Sequence, residues 1–94
     1  MRVIDKLPSR EPCAESGWYA WDFLLDAPMD DAFIRSMRPL GSLAYLSMLA
    51  KPFFKVESTW YLIKGLRGDR TLRVAVHDDH RGELARIEGF LNDR

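Results

Sequence analysis

Between residues 53 and 79 apolar and polar positions alternate with a period of two, the spacing that sends successive side chains to opposite faces of a strand. Phe54, Val56, Trp60 and Leu62 make one apolar row opposite Lys55, Glu57 and Thr59, and Leu72, Val74 and Val76 make the matching row further on. The pattern predicts two long strands, the first from 53 to 66, with Trp60, Leu62, Val74 and Val76 buried in a central hairpin. A two-residue Gly68-Asp69 turn would pair Ile63 with Val74 and Tyr61 with Val76. That register sets odd positions of one strand against even positions of the other. The rows then meet only if a bulge near Gly65 switches faces or the loop holds an odd number of residues.

Upstream, WYAWDFLL alternates as well, placing Trp18, Ala20, Asp22 and Leu24 on one side and Tyr19, Trp21, Phe23 and Leu25 on the other. This reads as a strand that Pro28 ends, because proline cannot donate to a ladder. Asp30 or Asp31 is a suitable N-cap for a short helix with Phe33, Ile34 and Met37 along one stripe, stopped by Pro39 and Gly41. Residues 42–50, SLAYLSMLA, are almost uniformly apolar, so periodicity does not separate helix from strand; the reading taken is a buried strand. Asp78 or Asp79 would cap a C-terminal helix in which Leu84, Ile87 and Leu91 recur at helical spacing.

Residues 1–17, with Pro8, Pro12 and Gly17, read as an irregular lead-in with at most a short edge strand, and residues 18–94 as one domain. The fold class that follows is α+β. It has a three- to four-stranded, mainly antiparallel sheet with two or three helices packed on it, in the order β-α-β-β-β-α.

Composition narrows the class without naming a job. At 47% hydrophobic and 30% charged the chain is that of a globular domain, and no apolar run approaches the roughly 20 residues that span a bilayer. The single cysteine, Cys13, permits no internal disulfide, and with no apolar leader at the N-terminus the expected compartment is the cytoplasm. The zero net charge conceals blocks. Residues 1–34 carry three basic and seven acidic side chains, residues 35–73 eight and two, and residues 74–94 three and five. A basic middle steers an anionic partner if it is exposed, and is neutralised if the acidic ends fold over it.

The densest group of ligand atoms is His77-Asp78-Asp79-His80, a weak candidate for a divalent metal with Cys13 as a distant further ligand. Helix capping accounts for the two carboxylates equally well. No G-x-S-x-G accompanies any serine, and Glu11 and Glu15 beside Cys13 would raise its thiol pKa instead of activating it. The run from Lys64 to Arg70 lacks the order of a phosphate-binding loop, and no cofactor is implied.

Aromatic residues are the remaining signal. Trp18, Tyr19, Trp21, Phe53, Phe54, Trp60 and Tyr61 lie on the expected strands near Lys51, Lys55, Lys64 and Arg73, which would suit either a core or a stacking platform for single-stranded nucleic acid. The reading adopted is a small non-catalytic cytoplasmic domain that binds a protein partner or itself. Trp18, Trp21 and Tyr61 are the expected contact residues of a homodimer formed along the edge of one of the strands that carry them. An enzyme or metal-binding protein using His77 and His80 is the rival, and a nucleic-acid binder the third.

Overall fold

The computed structural model describes residues 1–9 and 17–93. Six strands, β1 (Val3–Pro8), β2 (Trp18–Leu25), β3 (Ser42–Leu46), β4 (Phe53–Glu57), β5 (Tyr61–Leu66) and β6 (Thr71–His77), form one antiparallel sheet in the order β1-β2-β6-β5-β4-β3. Helices α1 (Asp31–Arg35) and α2 (Gly82–Asn92) complete an α+β fold in the order β-β-α-β-β-β-β-α. The expected three or four strands therefore understate the sheet. Two strands were hidden, one at each edge or turn of the pattern.

The first is β1, the edge strand that the otherwise irregular lead-in allowed but the strand count left out. It pairs with β2 from Val3↔Leu25 to Pro8↔Trp21, and α2 ties it down through Asn92, whose Oδ1 accepts from the Val3 N–H at 2.8 Å, and Glu88, which holds Lys6 at 2.6 Å. Cys13, Glu11 and Glu15 lie outside the described residues. The second arises because the expected strand from 53 to 66 is two strands. Ser58 N–H donates to Tyr61 O at 3.0 Å, closing a tight hairpin over Thr59 and Trp60.

This turn resolves the register conflict. Ile63 pairs with Val74 and Tyr61 with Val76 as the Gly68-Asp69 signal required, and no bulge at Gly65 is needed. The inward row simply changes from Phe54 and Val56 to Tyr61 and Ile63 across the hairpin. The β5–β6 turn itself is closed by the Asp69 N–H to Leu66 O, with Gly68 at φ +91°, a conformation that favours glycine.

Only one face of the sheet carries a core. Phe23, Leu25, Phe54, Val56, Tyr61, Ile63, Leu72, Val74 and Val76 pack there against Phe33 and Ile34 of α1, Met29, Met37, Leu40, and Ile87 and Leu91 of α2. The expected N-cap of α1 is present: Asp30 Oδ1 accepts from Phe33 N–H at 2.8 Å. At the other end Asp78 and Asp79 do not cap α2. They begin a 3-10 turn, Asp78–His80, whose cap is the His77 ring, and α2 starts four residues later behind Arg81. Residues 42–50 do contain a strand, but the burial expected of them does not hold. Leu46 and Leu49 are exposed, and Met48 is 93% exposed.

Candidate interaction surface

Because both helices lie on one side, no helix among the described residues covers the opposite face of the sheet, and register places its side chains in rows across the strands. One row runs Leu7, Asp22, Arg73, Lys64, Lys55, Ala44 from β1 to β3. Three cations thus stand side by side on β6, β5 and β4. Lys55 is held by Glu57 at 2.6 Å, and that contact with the nearby Lys55 and Lys64 charges lowers the Glu57 carboxyl pKa from its ordinary value. Asp22 faces Arg73 directly, whereas Lys64 has a cation opposite it on both sides and forms no ion pair among the described residues.

A second row, on the turn side, is apolar and joins Leu46, Phe53 and Leu66. Between these rows and β1 lies an open groove of about 710 Å³, walled by Leu7, Pro8, Phe53 and Leu66 and floored by Asp22, Lys64 and Arg73.

At the other end of this face the sequence candidates His77 and His80 meet two indoles. Trp18, His77 and Trp60 are cross-strand neighbours: His77 N–H donates to Trp60 O at 2.9 Å, and Trp18 pairs with His77. The imidazole of His77 lies edge-on to both indoles, with centroids at 5.5 Å from Trp18 and 5.9 Å from Trp60. His80 stacks on Trp60 at 3.7 Å. The two imidazoles stand 6.2 Å apart.

His77 Nδ1 is already used, accepting the Asp79 N–H at 3.2 Å, and Asp78 turns to Arg81 at 2.5 Å. Among the described residues no three His, Cys, Asp or Glu side chains are grouped to hold an ion. The cluster is an aromatic end to this face, built by register and by the 3-10 turn.

The expected contact residues fare differently. Trp18 is half-buried in that aromatic row, and Trp21 is partly buried against the core on the helix-covered side. Tyr61 corrects the expectation: it is 2% exposed, and its hydroxyl donates to the buried Leu40 carbonyl, so it is a core residue. Trp60 departs the other way, being 40% exposed on the hairpin turn where a buried row was expected. Nor is either carrying strand an edge. β2 lies between β1 and β6, and β5 between β4 and β6, so their backbone groups are committed to ladders on both sides.

The true edges are β1 and β3, and they are built differently. β1 carries Asp5, Lys6 and Pro8 and a register shift between Val3 and Asp5, devices that blunt strand addition. β3 has none of these. Its sequence is SLAYL, its ladder with β4 is continuous, and no charge occurs between Gly41 and Ala50. Sequence reasoning missed this edge because an uncharged, uniformly apolar run reads as interior. No helix among the described residues is long and apolar enough to cross a membrane. No family model, curated protein or solved structure matches the chain, and its geometry alone bears on what it does.

Proposed function

We propose that this chain is a non-catalytic interaction domain of the cytoplasm that self-associates, pairing the outer edge of β3 with β3 of a second copy. The observation that carries the reading is the unprotected edge itself. A five-residue strand without charge, proline or bulge leaves a row of backbone N–H and C=O groups that a second strand satisfies. Two-fold antiparallel pairing centred on Ala44 sets Leu43 of one copy against Tyr45 of the other, and Ser42 against Leu46. No like charges oppose each other in that arrangement, so the edge is complementary to itself.

Exposed Leu46, Met48 and Leu49 lie at the end of the same strand and its following turn, and the partner would shield them. The contact is small, which suits a dissociation constant on the order of micromolar. Sedimentation velocity from a few to roughly a few hundred micromolar should then show a monomer–dimer equilibrium. Ala44→Lys, exposed and opposite Lys55, gathers four cations about the two-fold axis and should leave only monomer, with circular dichroism checking that the monomer stays folded. A wild type that stays monomeric throughout, or a dimer that Ala44→Lys does not weaken, contradicts the proposal.

A further inference from the structure

We propose that the groove on the face opposite the helices binds a small amphipathic monocarboxylate, its head on Lys64 and its apolar body on Phe53 and Leu66. The argument begins with register. Lys64 stands between Arg73 and Lys55 in one cross-strand row, and directly opposed side chains lie about 5 Å apart at the β carbon, where like charges repel. Lys55 has Glu57, and Arg73 has Asp22 directly opposite. The ammonium of Lys64 is exposed, lines the groove and forms no ion pair among the described residues, so it is the groove cation placed to bond a ligand's carboxylate.

Valence follows from the same lining. Asp22 and Asp69 share the groove with Lys64 and Arg73, so a polyanion such as a nucleic-acid backbone would meet two carboxylates for two cations. A single negative charge fits better. The apolar requirement comes from the next row: Leu66 follows Lys64 by two residues on the same face, about 6.7 Å along the strand, and Phe53 lies opposite Leu66. Leu7 and Pro8 close the far wall, and a volume of about 710 Å³ is in the range of small-molecule sites. The proposal is independent of dimerisation through β3, since Ala44 does not line the groove and Lys64 is two strands from the edge.

The test is titration of the full chain with sodium decanoate below its micelle concentration, followed by calorimetry and by backbone amide shifts. Saturable binding of one decanoate per chain is expected, with shifts centred on Lys64, Leu66 and Phe53. Lys64→Met should weaken it by about tenfold while the thermal unfolding temperature holds, since the side chain is exposed. Decanol, which keeps the tail and loses the charge, should bind at least tenfold more weakly than decanoate. Hexanoate, which keeps the charge, should bind far more weakly too, because each methylene removed costs severalfold.

Absence of saturable binding up to millimolar decanoate, or affinity indifferent to Lys64→Met, overturns the proposal. So does tighter binding of single-stranded oligonucleotide or anionic vesicles than of the monomeric acid. Shifts at Lys64 and Phe53 on concentrating the protein alone would put a second copy on this face and overturn it as well. Ala44→Lys protein, monomeric or not, should bind decanoate like the wild type, which separates this result from the fate of the β3 dimer.

Discussion

Gly65 and Phe54 are directly paired across β5 and β4, and replacing Gly65 by alanine tests how tightly the core is closed there. A β carbon at Gly65 would meet Phe54 Cε1 at 2.7 Å and Cζ at 2.9 Å, with the Met29 methyl at 3.1 Å. Ordinary carbon contacts sit at about 3.5–4.0 Å, so the ring must move by most of an ångström. It has little room, because Phe54 is fully buried and Met29 nearly so. Overpacking of this kind costs about 1–3 kcal/mol, and alanine returns about 0.4–1 kcal/mol by restricting the unfolded chain. The net destabilisation is about 1–2 kcal/mol, a fall of roughly 5–15 °C in Tm for a domain of this size. Urea and thermal unfolding followed by circular dichroism measure it. Phe54→Leu removes the ring edge, so in that background Gly65→Ala should cost less than half as much. Equal or greater stability of Gly65→Ala, or an undiminished cost beside Phe54→Leu, would refute the packing described for β4 and β5.

Two further substitutions separate core from surface among the aromatics. Tyr61→Phe removes the only hydroxyl that donates from β5 to the Leu40 carbonyl and should lower unfolding free energy by about 1–3 kcal/mol in urea titrations; no change would mean the bond contributes nothing. Trp60→Ala, at a turn residue 40% exposed and stacked on His80, should cost about 1–2 kcal/mol by the same assay, and a loss of about 4 kcal/mol would return Trp60 to the core.

The sequence carried the α+β class, the antiparallel hairpin, the Asp30 cap and the inward faces of β2 and β6, because each rests on a local signal that tertiary packing did not override. What it concealed has equally local causes. Thr59 and Trp60 form a hairpin turn without glycine, proline, asparagine or aspartate, and with no positive φ, so period-two alternation runs through them unbroken and Trp60 reads as inward. β1 was obscured by its charges and prolines, the features an edge strand uses to avoid further pairing.

The edge position of β3 was obscured for the opposite reason. Its apolar residues suggest burial, yet it stands at the end of the sheet and turns Leu46 toward solvent. At the aromatic end, Trp18, His77 and Trp60 are brought together by the pairing of β2, β6 and β5, and contacts made by register are invisible until strand order is known. In sequence the two imidazoles are only a weak candidate ligand pair. In space one caps a 3-10 turn and the other stacks on an indole.

Hydrogen exchange at the backbone amides of the two edge strands probes the β3 pairing most directly. At a few hundred micromolar, well above a micromolar dissociation constant, the outward N–H groups of Ser42–Leu46 should exchange slowly, and dilution to roughly a tenth of a micromolar should release them. Outward amides of Val3–Pro8 should exchange at the same rate at both concentrations. If β3 amides exchange as fast in concentrated as in dilute protein, the edge is unpaired and the self-associating domain proposed for this chain is wrong.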